Sequence, residues 1–238
     1  SPAYNLRRRH NHLKGNAVEH HIYLVYAHLL LFAYWLAPDW GVYVTSHYVA
    51  RADLPLAERR RFLQAALRID LIPRSCLILL LPVGLQLAAN MQLTTLPALA
   101  MPWVWGAAVL WLLVSWVLYR QPRSAWGLRL AQADRAFRFV LALGLISAGG
   151  ISLLTQRWIH VDWLAAKLIG FGLLLLLGLL LRWVMAGWAQ GFARLEHEGS
   201  SPATEAIFRT GLRRARPSAW VFWLTSAAMA FLGLVKPF

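Results

Sequence analysis

The stretch VDWLAAKLIGFGLLLLLGLLLRW, residues Val161 to Trp183, contains an apolar run long enough to cross a lipid bilayer. A transmembrane helix needs about 20 predominantly apolar residues. One charged residue, Lys167, lies inside the run near its start. An ionised amine at the bilayer centre is unfavourable by roughly 2.5–3.5 kcal/mol on insertion scales. The stretch therefore predicts a membrane-spanning helix and raises the question of what Lys167 faces.

The composition of the whole chain predicts a polytopic membrane protein. Hydrophobic residues make up 59% of the 238 positions and charged residues only 14%, whereas globular chains carry about 25% charged residues. The mean hydropathy is +0.49. The 13 tryptophans are typical of chains that meet the membrane–water interface. These values exclude an ordinary soluble domain and predict an all-α helical bundle.

Six apolar segments of spanning length are predicted within a single transmembrane domain, residues 21–238, which follows a basic head at residues 1–20. Pro38 in the first segment predicts a kink or an early helix end. The fourth segment is the weakest, although Gly149 and Gly150 would let another helix approach closely. The predicted segments cover residues 21–46, 72–90, 101–119, 137–155, 161–186 and 217–235.

The distribution of basic residues predicts how the bundle is oriented. Seventeen of the 24 lysines and arginines fall in or beside the loops that follow the first, third and fifth segments. The positive-inside rule places these loops in the cytoplasm and both termini on the outer, periplasmic face of a bacterial inner membrane. Only the basic head, residues 7–14, conflicts with this orientation. Basic loops of this kind contact anionic lipid, so we expect membrane lipids, and not nucleic acid, to account for the net charge of +14.

The first basic connection, residues 52–73, predicts a separate amphipathic helix at the cytoplasmic interface. Asp53 is expected to cap its N-terminus, with Pro55 in the first turn. The helix is expected to end at Pro73, where the second membrane span begins. Apolar residues between its arginines would anchor it in the interface.

Two ionisable side chains within the predicted spans are candidates for a functional site. His28 lies about 10 Å and Lys167 about 9 Å from the outer ends of their helices, so the two would lie level and face each other if the helices adjoin. His21 shares a helix face with His28, but the separation of about 10.5 Å prevents joint binding of one metal ion. Two simpler alternatives remain: Lys167 extends its amine to the lipid headgroups, or His28 is a hydrogen-bonded interior residue.

Several of these residues belong to a recognisable pattern. HIYLVYAHLLLFAYWLAPDWGVYVTSHYV, residues 21–49, resembles the first span of the HemJ-type protoporphyrinogen oxidase family and of the related copper-resistance protein D (CopD) group. In that pattern a histidine, here His28, is followed seven residues later by a tryptophan, here Trp35. WLAAKLIGF, residues 163–171, is similar to the Trp-x-x-x-Lys-Leu entry to the family's penultimate span, and the terminal LVKPF resembles its Val-Lys-Pro ending.

The resemblance covers two blocks, residues 20–92 and 161–238. The family core has four spans, and this chain inserts two more at about residues 101–155. Ala37 and Pro38 replace the usual Gly-Gly or Ala-Gly after the tryptophan, and the basic Pro-Arg exit from the first span is missing.

The resemblance implies a site for haem b in which neutral His28 ligates the metal, since imidazole is a common haem ligand. It also implies a functionally required, catalytic Lys167, which would pair with a haem propionate or a substrate carboxylate. Trp35 and Tyr34 would pack against the ring, and His21 would line the same pocket. The implied activity is the oxidation of protoporphyrinogen IX, with electrons passed toward quinone.

Two other functions stay open from the residues alone. The first is a copper-handling permease like the CopD group; thioether and thiolate ligands suit Cu(I), but the four methionines and the single Cys76 form no Met-x-x-Met cluster. The second is a non-enzymatic accessory subunit of a larger membrane redox complex, or a homo-oligomer, which the two added spans and the many tryptophans favour. The absorption spectrum of the purified protein separates these hypotheses.

The predicted orientation can be tested by cysteine labelling in intact cells. In a chain whose Cys76 is replaced by alanine, a membrane-impermeant thiol reagent is expected to label Thr94→Cys but not Ser124→Cys, because the two positions lie on opposite faces. Labelling of Ser124→Cys alone would reverse the orientation, and labelling of both would contradict the number of spans between them.

Overall fold

A computed structural model describes residues 2–120 and 124–237, with side chains from Glu19 onward. The described part of the chain contains six long helices, and a 3-10 turn at Ala98–Ala100 precedes the third. All six helices are long and apolar enough to cross a membrane, so the predicted all-α architecture with six helices of spanning length is confirmed. The helices are α1 (Pro2–Val49), α2 (Leu56–Asn90), α3 (Met101–Arg120), α4 (Ala125–Thr155), α5 (Asp162–Glu198) and α6 (Pro202–Val235).

Helix α1 is much longer than the apolar segment that predicts it. It begins at Pro2, so residues 2–20 of the basic head are helical and continuous with the first span. The helix also passes through Pro38 and reaches Val49, so the predicted early end near this proline does not occur. Proline is tolerated in a membrane helix when neighbouring groups compensate for the lost hydrogen bond. Three residues after Pro38, Gly41 of α1 faces the side chain of Ile69 on α2, 3.6 Å from where a Cβ would lie.

The predicted separate interfacial helix is wrong, because α2 runs without interruption through Pro73. An interior proline costs about 3 kcal/mol in an exposed helix. Here Pro73 is buried, and the buried Cys76 and Ile78 that follow keep the same helix in the core. Asp53 does not cap α2, which begins after Pro55; it forms an exposed ion pair with Arg51 instead. The Arg51 guanidinium lowers the pKa of the Asp53 carboxyl by hydrogen bonding to it.

Glycines allow α4 and α5 to pack backbone against backbone. A Cβ at Gly149 of α4 would lie 2.7 Å from the carbonyl oxygen of Ala165 on α5. In the reverse direction, a Cβ at Gly172 of α5 would lie 2.7 Å from the carbonyl oxygen of Ala142 on α4. The predicted close approach is therefore confirmed at Gly149, while Gly150 faces open space.

A buried ion pair joins three helices at what we call the arginine end of the bundle, which contains residues 49–59 and 196–205. The Arg59 guanidinium donates to Glu205 at 2.9 Å and to the carbonyl oxygen of Val49 at 2.8 Å. It also lies 4.3 Å from the centre of the Phe208 ring. Removing one partner of a buried ion pair leaves an uncompensated charge, which costs about 3–5 kcal/mol, so this contact fixes where α1 ends and where α2 and α6 begin.

A second buried polar cluster attaches α3 and α4 to α5. Asp134 of α4 accepts hydrogen bonds from Arg138 at 2.8 Å and from the indole nitrogen of Trp111 on α3 at 3.0 Å. Arg182 of α5 completes the cluster at 3.3 Å from the same carboxylate. Each helix thus supplies a group that would be costly to bury alone, and this favours one arrangement of the three helices.

The opposite end of the bundle, which we call the cavity end, contains residues 91–97 and 156–161. There the α2–α3 and α4–α5 connections pair with each other as short extended segments. The amide of Thr95 donates to the carbonyl oxygen of Trp158, and the amide of His160 donates to that of Leu93, both at 3.0 Å. The end of α2 and the start of α5 are therefore held side by side.

The tight packing of α4 on α5 predicts that two alanine substitutions on α5 change the stability of the protein differently. Gly172→Ala is expected to destabilise the protein by about 1–3 kcal/mol, because the new methyl group would overlap the backbone of α4. Gly178→Ala, where a Cβ meets no atom within 4 Å, is expected to be neutral or slightly stabilising, since alanine favours helices. Thermal unfolding in detergent measures both, and equal melting temperatures for the two variants would contradict the packing.

Candidate functional site

Four helices enclose a cavity of about 400 Å³ at the cavity end of the bundle. Its walls come from α1, α2, α5 and α6, while α3 and α4 supply none of the described lining residues. The volume lies within the range of about 300–1,000 Å³ that is usual for small-molecule sites. Most of the lining side chains are apolar, so the cavity suits a ligand with a largely hydrophobic body.

His28 reaches this cavity from α1 and lies against α2. Its Nδ1 atom is buried and has no hydrogen-bond partner among the described residues. Its Cε1 atom is 3.4 Å from where a Cβ would lie at Gly84 of α2, so the glycine provides space for the imidazole ring. Buried polar atoms normally have a partner. The alternative of a hydrogen-bonded interior histidine finds no such bond at Nδ1 within the described part of the chain, and it stays a prediction.

Lys167 reaches the same cavity from α5. Its amine rests against the backbone of α6, only 2.6 Å from where a Cβ would lie at Gly233. Within the described part of the chain, no carboxylate lies within the 4.0 Å of an ion pair with this amine. Lys167 thus faces an apolar cavity that it shares with His28.

Aromatic side chains close the inner end of the cavity. Trp35 is only 3% exposed, and it makes edge contacts with Phe32 and Phe222 at ring-centre distances of 5.8 and 5.5 Å. Phe171 of α5 is also buried and lines the cavity. These rings form an apolar surface beneath His28.

The cavity reaches the outer surface of the bundle at α1 and α6. Leu29 of α1 and Leu234 of α6 both line it, yet they are 61% and 85% exposed. Aromatic and polar contacts between the two helices lie nearer the arginine end, where the indole nitrogen of Trp223 donates to Asp39 at 2.8 Å and its ring packs 4.8 Å from that of Trp40. A ligand can therefore reach the cavity from the surface that faces lipid.

The structure brings together four of the five predicted site residues. His21, His28, Trp35 and Lys167 all line the cavity, and His21 also borders a wider groove at its mouth. Tyr34 does not line the cavity and is 55% exposed, because its side chain lies on a different face of α1. The packing of Tyr34 against a bound ring is therefore not part of the function proposed below.

Four further residues of the site are not among the predicted site residues, although the family-like motifs include Trp163 and Lys236. Gly84 and Gly233 leave room for His28 and Lys167, while Trp163 and Lys236 line the mouth. Trp163 is four residues before Lys167 and therefore shares its helix face, which is a signal that the sequence does contain. The role of Lys236 depends on the end of α6 meeting the start of α5, and the sequence does not show this contact.

Comparisons with known proteins do not identify the function of this chain. No family model, curated protein or solved structure matches the chain. The family resemblance in the first and fifth spans stays a prediction.

Proposed function

We propose that this chain is a b-type haem-binding membrane protein that oxidises protoporphyrinogen IX and passes the electrons toward quinone. One observation supports the proposal above the others: a single apolar cavity is lined by both His28 and Lys167. Among the described residues, Nδ1 of His28 has no hydrogen-bond partner and the Lys167 amine has no carboxylate within 4.0 Å. Ionisable residues within membrane spans mark functional sites when internal partners do not account for them.

The residues fit a haem group in three respects. Neutral imidazole ligates haem iron, and an internal hydrogen bond does not occupy Nδ1 of His28. The apolar walls around Trp35 and Phe171 suit a macrocycle. The amine of Lys167 suits one of its acid groups, because an ion pair in a site of low dielectric is strong. When bound, haem would supply the one-electron redox chemistry that amino-acid side chains lack.

The chain itself would bind, orient and shield the substrate. Oxidation of protoporphyrinogen IX to protoporphyrin IX removes six electrons and six protons, which three quinone molecules would take up as three quinols. Lys167 would hold a substrate carboxylate at the mouth, and the aromatic inner wall would exclude water. The opening between α1 and α6 would admit substrate and quinone from the lipid phase, in which both dissolve.

The proposal is also supported by which helices line the cavity and which do not. Most of the cavity lining comes from the four helices of the family-like blocks, residues 20–92 and 161–238, and the connecting residues Leu93, Thr94 and Ile159 complete it. None of the described lining residues belongs to the two additional helices, α3 and α4. We place the protein in a bacterial inner membrane, with the cavity end on the outer face, because the basic residues concentrate at the opposite end.

The copper-handling alternative has weaker support. Among the side chains that the structure describes, no group of three or more histidine, cysteine, aspartate or glutamate residues could hold a metal ion. Lys167 and Lys236 line the cavity, and none of the described lining residues is acidic. The positive charge of the cavity therefore disfavours a cation.

The other alternative is an accessory subunit of a larger complex. Such a subunit would contact the complex through the lipid-facing surfaces of α3 and α4, where Trp103 is 82% exposed.

His28→Ala is expected to abolish the b-type Soret and α bands of the purified, reduced protein while the protein still accumulates. External imidazole is expected to restore the bands in His28→Gly, because the free ligand can occupy the space of the lost side chain. His47→Ala is the matched control, since His47 bonds to the carbonyl oxygen of Tyr43 near the arginine end. Full haem content in His28→Ala would refute the assignment, and loss of haem in His21→Ala alone would move the ligand to His21.

Lys167→Met is expected to lower the pigment bound per protein at least tenfold, a change that corresponds to about 1.4 kcal/mol. Truncating one partner of a buried charge pair strands the other charge in a site of low dielectric. Lys167→Arg keeps the charge and is expected to retain more pigment. If both variants hold as much pigment as the unmodified protein, Lys167 only extends its amine toward lipid headgroups.

A further inference from the structure

A second amine lies at the mouth of the cavity. The Lys236 amine is 5.4 Å from the centre of the Trp163 ring, a distance typical of cation–π contacts. Lys236 adopts a left-handed conformation with φ of 49°, and its amide donates to the carbonyl oxygen of Leu232 at 3.1 Å. The residue therefore ends α6 in a fixed way and directs its side chain back to the start of α5.

Two lysines, Lys167 and Lys236, line the cavity, and none of its described lining residues is acidic. The Lys236 amine lies over the ring of Trp163, which is one helical turn before Lys167 on α5. The acidic residue nearest in sequence, Asp162 of α5, bonds with Gln156 and is not among the described lining residues. Holding two positive charges together is unfavourable unless a ligand brings negative charge.

We propose that the cavity binds an amphipathic diacid, with Lys167 holding one acid group and Lys236, supported by Trp163, holding the other. The hydrophobic body of the ligand lies between Phe32, Trp35 and Phe171. The inference rests on the proposed function because it concerns the same cavity, but it requires neither iron nor electron transfer. It assigns Lys236 as a residue that determines specificity.

The geometry explains why the two lysines would not be equivalent. Lys167 is partly buried against Gly233, whereas Lys236 is exposed at the end of α6. An acid group at Lys167 would lie deeper, where water screens the charge less. Loss of Lys167 should therefore weaken binding more than loss of Lys236, and loss of both should remove the preference for acids.

The test uses metal-free protoporphyrin IX, which has two carboxylic acids, and its dimethyl ester. Binding to the full chain in nanodiscs of zwitterionic lipid is followed by quenching of tryptophan fluorescence. The diacid is expected to bind at least tenfold more tightly than the diester. Lys236→Met is expected to weaken diacid binding by about tenfold and leave diester binding unchanged, while Lys236→Arg restores most of the affinity.

Arg157→Met is the matched control, because Arg157 is an exposed cation at the same end of the bundle but does not line the cavity. Equal affinity for diacid and diester, or full diacid affinity in Lys236→Met, would overturn the inference. If nanodiscs containing phosphatidylglycerol displace the diacid completely, the two amines bind lipid headgroups and the inference also fails. A protein that binds the diacid through both lysines but has no His28-dependent haem bands would refute the haem function alone.

Discussion

The membrane interior does not solvate charge, and this constraint governs where each ionisable side chain of the bundle lies. At the arginine end Arg59 pairs with Glu205, and in the separate cluster between α3, α4 and α5 the Asp134 carboxylate is neutralised by Arg138 and Arg182. Such pairs cost desolvation energy, but they also discriminate strongly against other arrangements of the helices. Lys167 has no such partner among the described residues. For this reason the functional site is proposed at the cavity and not at the arginine end.

Glycine has an equally specific role in this bundle. Lipid tails give helices little hydrophobic reason to associate, so close contact depends on small residues. Gly149 and Gly172 provide that contact between α4 and α5. Gly84 and Gly233 use the same absence of a side chain differently, because each receives a polar side chain from a neighbouring helix. The same residue type thus packs one helix pair and shapes the cavity between others.

The sequence predicts the number and type of helices well, because backbone groups in lipid must be satisfied within each segment. It predicts His28 and Lys167 as level with each other, but their convergence on one cavity depends on which helices adjoin. The break expected at Pro73 does not occur, because buried contacts on both sides of that proline hold α2 together. Lys236 belongs to the family-like C-terminal motif, but its position at the cavity does not follow from the sequence, because its contact with Trp163 joins the end of one helix to the start of another.

The pairing of Leu93 with His160 has a consequence for how such a chain can change in evolution. The polypeptide leaves the rim of the cavity after α2 and returns to it at an adjacent point before α5. The hairpin of α3 and α4 therefore starts and ends at neighbouring points beside the cavity. A change in the length of this hairpin would leave the ends of α2 and α5, and the residues that line the cavity, where they are.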